Sequence, residues 1–181
     1  MKKVLLGFST LILLAVCYAF SLPTTKSPVK EEVIKWYTWE EAVELNKKSP
    51  RKVFIDVYTD WCGWCKVMDR QTFTDPSVIK YMNEKFYAVK FNAEQREDVP
   101  FDNHIFKFIA QGNRGVHELA YSLLDGQMGY PAFVYLNEKF ERITVSPGFK
   151  PAPDMLKELK FIGEEYFKTK SWQEYSKNQS K

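Results

Sequence analysis

Residues 52–66 read KVFIDVYTDWCGWCK, and the fold turns on them. The first seven are few, β-branched and aromatic, which predicts a buried strand over residues 52–58. That strand delivers the chain through Thr59-Asp60-Trp61 to Cys62-Gly63-Trp64-Cys65. Val67, Met68 and Phe73 then suit one face of a helix that starts at the cysteines and ends before Asp75-Pro76, an N-cap with proline at the first helical position.

The cysteine count sharpens the point. The chain has three cysteines, and one of them, Cys17, lies in an N-terminal segment that reads as a signal. There Lys2 and Lys3 precede an apolar run over residues 4–16 that ends near small residues. Cleavage is expected after Ala19, with Ser21 the second choice; an uncleaved anchor and lipidation of Cys17 are the rival readings. Removing 19 of the 181 residues leaves 162, enough for one domain and too few for two typical ones. Lys2 and Lys3 carry two of the three units of net positive charge, so the remainder stands at +1 and nothing points to nucleic acid or an anionic membrane. Two cysteines placed at random would fall three apart in about one case in eighty. A C-x-x-C loop is also too small to brace a fold, so the pair is explained by its reactivity.

Outward from this centre, residues 20–33 carry Pro23 and Pro28 and read as a leader, with the domain beginning near Ile34. Thr38-Trp39-Glu40-Glu41 has capping-box form and opens a helix to about Lys47, broken by Pro50. A short helix to about Glu84 and a strand over residues 87–92 follow the redox helix. Phe101, Ile105, Phe106, Phe108 and Ile109 suggest a helix over residues 101–110 that adds to the core, and a second helix is expected over residues 116–124. Gly129-Tyr130-Pro131 opens a strand over residues 132–136, which turns at residues 137–139 into a strand over residues 142–146. Met155, Leu156, Leu159, Ile162, Tyr166 and Phe167 mark one last amphipathic helix, and residues 171–181 read as a polar tail that frays.

Strand, redox helix, strand, hairpin and closing helix over residues 34–170 resemble the thioredoxin fold: α/β, with a central mixed β-sheet flanked by helices and here a helical insertion before the cis-proline loop. The residues carry the likeness too. Residues 55–66 look like the thioredoxin active-site strand and helix start, Asp56 has the spacing of its buried acid, and Lys90 matches the lysine that approaches that acid. Gly129-Tyr130-Pro131 matches the cis-proline loop, and Gly148 a glycine near the end of the last strand. The resemblance covers about residues 39–167 and extends to exported bacterial thioredoxin-like proteins and the C-terminal domain of periplasmic disulfide interchange proteins. Three positions depart from it: Trp64 replaces a proline, about 20 residues are added between Glu94 and Pro131, and Tyr130 is bulkier than usual.

The resemblance implies an exported, periplasmic thiol-disulfide oxidoreductase whose only redox group is the Cys62–Cys65 pair. Only a thiolate attacks a disulfide, and a helix N-terminus favours it, so Cys62 is expected as the exposed nucleophile and Cys65 as the resolving thiol. Asp56 would accept the Cys65 proton and Lys90 would tune Asp56. Trp61, Gly63, Trp64, Tyr130 and Pro131 would meet the substrate, the edge before Pro131 pairing with its strand. Protein or peptide disulfides are the implied partners, with a thiol or membrane reductase as electron donor and the protein acting as a monomer. The position beside Trp64 lacks the histidine of strong oxidants, which favours reductase or isomerase chemistry. A zinc site is the rival reading of the C-x-x-C, but only His104 and His117, both in the expected helices of the insertion, could complete it. A non-catalytic binding or chaperone module on the same scaffold is the alternative function.

Overall fold

In the computed structural model, which describes residues 32–112 and 114–178, β1 (Trp36–Tyr37) leads into α1 (Trp39–Lys48) and β2 (Lys52–Tyr58). α2 (Gly63–Val67) continues as a π-helical turn through Thr72; α3 (Pro76–Lys85) and β3 (Phe86–Asn92) follow. Two hairpins come next, β4 (Val99–Phe101) with β5 (His104–Phe106) and β6 (Phe108–Gln111) with β7 (Arg114–His117). The chain then forms α4 (Glu118–Leu123), β8 (Ala132–Leu136), β9 (Arg142–Pro147), α5 (Ala152–Gly163) and α6 (Trp172–Asn178). The expected signal segment, Cys17 and most of the leader lie outside the described residues.

The central sheet is mixed, in the order β1-β3-β2-β8-β9, with β2 parallel to β3 and antiparallel to β8. Paired on both sides, β2 must be apolar on both faces, which its sequence supplies. Alternation sends Val53, Ile55 and Val57 into one cluster with Trp39, Ala42, Leu119 and Leu123 of α1 and α4. Phe54 enters the other, with Met68, Phe73, Met82, Met155 and Leu159 from the opposite helical layer. Asp56 shares the Phe54 face and is the one charged group in that strand's interior. The helix ends follow their sequence signals: Thr38 and Glu41 close a reciprocal capping box, and the Asp75 carboxylate accepts from the Ser77 and Val78 amides at 2.8 and 3.1 Å.

Two expectations fail. The helix over residues 101–110 is a pair of hairpins. A short apolar run satisfies helical and strand templates alike, and the local turn chemistry decides: Asp102 and Asn103 both take positive φ, 50° and 61°, as a two-residue hairpin turn requires. His104 therefore sits in β5 and His117 in β7, and Ile105 and Ile109 are exposed rather than added to the core. Only the second expected helix survives, shortened to α4.

The closing helix also stops early. α5 ends at Gly163, Glu165 takes φ 61°, Tyr166–Lys168 form a 3-10 turn, and residues 172–178, expected to fray, form α6. A capping box missed in the sequence starts α6, with Glu174 Oε2 accepting the Ser171 amide at 2.8 Å and Ser171 Oγ the Glu174 amide at 3.3 Å. Tyr175 anchors it, buried against Phe161 at 5.1 Å and Tyr166 at 4.9 Å.

Candidate active site

β2 ends one residue before Thr59, whose carbonyl accepts the Cys62 amide at 3.1 Å and so turns the chain into α2. Cys62 is the N-cap of that helix, and its Sγ accepts the Cys65 amide at 3.1 Å. The two cysteines form a disulfide. Contrary to expectation, Cys62 is not exposed: bonded to Cys65 and folded over the first turn, it is 4% accessible, as is Cys65. The accessible surface belongs to the flanking Trp61 and Trp64, 58% and 60% exposed. At Gly63 a Cβ would meet nothing within 4 Å, so the backbone between the tryptophans faces open space.

In the pairing of β2 with β3, Asp56 stands opposite Lys90. Asp56 is 1% exposed, its Oδ1 has no hydrogen-bond partner among the described residues, and its Oδ2 lies 3.6 Å from Lys90 Nζ. Burial pushes its carboxyl up to about 7; Lys90 pulls the other way and Asp69 adds to the rise. Lys90 does not serve Asp56 alone. Its ammonium makes a closer ion pair with Asp69 and lies 5.2–5.8 Å from the ring centroids of Trp36, Tyr58 and Phe73. Sequence reasoning missed Asp69. Its position four residues after Cys65, on the same helical face, was the available signal.

Two aromatic pairs frame the cysteines. Trp61 meets Tyr130 edge-on at 5.8 Å, and Trp64 meets Phe149 at 5.1 Å. The Tyr130–Pro131 peptide bond is cis, and the Pro131 carbonyl accepts the Gly148 amide at 2.8 Å, which ties the start of β8 to the end of β9. The loop carrying Phe149 is pinned to the redox helix, since Thr72 Oγ1 donates to the Lys150 carbonyl at 2.7 Å. Burial, with Glu94 nearby, pushes the Tyr130 hydroxyl up to about 12, so it is a donor at neutral pH. Glu94 also accepts the Trp61 indole N–H at 3.0 Å, and the Arg114 guanidinium lies 5.6 Å from that ring. Glu94, Arg114 and Phe149 were not foreseen, because only the fold brings these loops to the cysteines.

The histidines have structural surroundings. His117 is fully buried, its Nδ1 accepts the Leu119 amide at 3.2 Å and caps α4, and its Nε2 faces the Glu97 carbonyl at 3.0 Å. His104 is exposed beside Phe106 and Glu118. Among the described residues no group of three or more His, Cys, Asp or Glu side chains is placed to hold a metal ion, and no helix is long and apolar enough to cross a membrane.

Against known proteins, the chain is 29% identical over 147 residues to a protein of Caenorhabditis elegans named only as uncharacterized, covering 78% of this chain and 18% of that one. It is 44% identical over 64 residues to the thiol:disulfide interchange protein DsbD of Pectobacterium atrosepticum, 34% of this chain and 11% of the relative. The chain thus spans less than a fifth of the length of these relatives. A thioredoxin from Thermus thermophilus superposes with a TM-score of 0.55 at 23% identity, covering 72% of this chain and 87% of that one, which establishes the thioredoxin fold. The model of the family described as Thioredox_DsbH, protein of unknown function DUF255, matches residues 23–162. The match covers most of the chain, and the chain belongs to the Thioredox_DsbH family within the thioredoxin-like superfamily.

Proposed function

We propose that this protein is a thiol-disulfide oxidoreductase that exchanges disulfides in extracytoplasmic proteins and works as a reductase or isomerase rather than as an oxidant. The observation that carries the reading is the Cys62–Cys65 disulfide at the start of the helix that follows β2, the strand that carries a desolvated Asp56 whose carboxyl is pushed up to about 7. Buried acids perturbed in this way are a mark of proton-transfer sites.

In the reductive direction the reduced protein starts with two thiols. The Cys62 thiolate, favoured by the helix N-terminus and the Cys65 amide, attacks one substrate sulfur; the substrate S–S bond breaks and its other sulfur leaves as a thiolate. Asp56, ionised, takes the Cys65 proton directly or through water. The Cys65 thiolate attacks Cys62 Sγ, the mixed disulfide breaks, and the second substrate sulfur leaves. Two electrons have passed to the substrate, and an external thiol or membrane reductase returns them. Trp61, Trp64 and Tyr130 shape an apolar approach, Gly63 leaves the backbone open, and the chain before Pro131 offers an edge to a substrate strand. Export follows from the lysine-led apolar leader at residues 1–19, with monomeric protein as its product.

Insulin reduction tests the reading, with trapping as its second arm. Cys65→Ser accumulates mixed disulfides that a reductant releases, and Cys62→Ser captures none. A chain that binds polypeptides but turns over no disulfide is the non-catalytic module instead. A glutathione redox titration tests direction: a potential below about −150 mV agrees, and a higher one assigns the protein to the oxidants.

A further inference from the structure

The insertion reaches Trp61, the residue before Cys62, through the β6–β7 ribbon. Its base is fixed to the end of β3, where the His117 amide donates to the Ala93 carbonyl at 2.8 Å. Within the ribbon Phe108 lies over Gly115, where a Cβ would come within 2.2 Å of Phe108 Cζ and 2.5 Å of the Ile109 carbonyl oxygen. Glycine is required there by close packing rather than by backbone angles. Arg96 adds a guanidinium 4.8 Å from the centroid of the Phe108 ring. Cross-strand register pairs Gln111 with Arg114 next to the ribbon's tip.

Anchored in this way, Arg114 rests its guanidinium 5.6 Å from the ring centroid of Trp61, the residue that immediately precedes Cys62. Glu94 is engaged by the indole N–H, and Arg114 forms no ion pair with it or with any other carboxylate among the described residues. A cation on an exposed ring is held weakly, enough to bias its position while its N–H donors stay without an acceptor among the described residues. Guanidinium donors in a fixed fork match a carboxylate. One or two residues of extended chain span about 3.5–7 Å, so a carboxylate close in sequence to a substrate cysteine bonded at Cys62 lies within reach of the ring that carries Arg114.

We infer that Arg114 is a specificity-determining residue, which receives a carboxylate adjacent to the substrate disulfide and makes the protein select disulfides flanked by negative charge. The inference rests on the thiol-disulfide exchange reading and names the substrate class. Such a carboxylate comes from an acidic residue in a protein loop or from a small thiol peptide such as glutathione.

The test uses two synthetic peptide disulfides that differ only in Glu or Gln beside one cysteine, with kcat/KM measured for each. The unmutated protein favours the Glu peptide by about tenfold in dilute buffer, and the preference shrinks at molar salt because exposed charges are screened. Arg114→Gln brings the ratio close to one, Arg114→Glu inverts it, and Arg114→Lys keeps part of it, which separates loss of charge from loss of fold. Oxidised glutathione compared with its ester distinguishes the sources: an Arg114-dependent preference for the free acid includes small thiol peptides, and its absence beside a preference for the Glu peptide restricts the class to proteins. Equal turnover of both peptides by the unmutated protein, or a tenfold preference that persists in Arg114→Gln, overturns the inference alone. No turnover of either peptide overturns the exchange reading and this inference with it.

Discussion

Asp56 and Glu158 are both buried carboxylates, 1% and 7% exposed, and they are bonded in opposite ways. Glu158 is saturated: Oε1 accepts the Tyr135 hydroxyl at 2.8 Å, Oε2 accepts Ser146 Oγ at 2.7 Å, and Lys150 Nζ lies 3.7 Å away. Among the described residues Asp56 has one oxygen without a partner and pairs with a single cation, Lys90, which it shares with Asp69. Buried polar groups are ordinarily satisfied, so a saturated carboxylate reads as a tie between elements and an unsatisfied one as a group held ready to take a proton. The contrast separates architecture from chemistry within one domain.

The largest effect should come from breaking the tie. Glu158→Ala strands a fully buried tyrosine hydroxyl together with Ser146 and loosens Lys150, and it should cost about 3 kcal/mol of stability in urea unfolding. A cost near zero would make Glu158 as dispensable to the fold as Asp56 is expected to be.

The second effect has the opposite sign. With its folded carboxyl at about 7 against an ordinary value of 3.8, Asp56 binds its proton more tightly in the folded state. Between those pH values the folded protein holds the extra proton, so stability falls as pH rises through that window and is flat on either side. The full shift corresponds to roughly 4 kcal/mol, of which Asp56→Asn should recover about 2–3 at pH 8, because the amide still faces Lys90. Urea titrations should show that gain vanish below pH 4. Destabilisation by Asp56→Asn at pH 8 would contradict the unsatisfied reading.

Asp69→Asn should act in the same direction and less strongly. It removes a neighbouring negative charge and leaves Lys90 to Asp56, so the Asp56 carboxyl should titrate below 7, with a stability gain under about 1 kcal/mol at pH 8. A carbon-13 titration of the Asp56 carboxyl reads this directly, and an upward move would exclude Asp69 from the site.

The residues that build the centre were legible because their signals are local. β2 announces itself by composition, the cysteines by spacing, and α1 and α3 by their caps, so the path of the chain through Cys62 follows from adjacent residues. The partners of that centre were less legible. Asp69, Glu94, Arg114 and Phe149 meet the cysteine loop or Lys90 only after separate segments pack together. The misread insertion is of another kind. Its apolar spacing fits a helix, while the Asp102-Asn103 turn and the crowded Gly115 decide for hairpins. α6 was lost in the same way: Ser171 and Glu174 repeat the motif read correctly at Thr38 and Glu41, in a stretch too polar to suggest that Tyr175 is buried.

On the proposed mechanism Asp56 takes the proton from Cys65 while Cys65 resolves the mixed disulfide, and single-turnover release of substrate from the Cys62 adduct measures that step between pH 5 and 9. In the unmutated protein the rate should rise with pH through about 7, as Asp56 ionises, and then level off. In Asp56→Asn it should be about tenfold to a hundredfold slower at pH 7 and close on the unmutated rate at higher pH, where Cys65 loses its proton unaided. Superimposable profiles for the two proteins would exclude Asp56 as the proton acceptor.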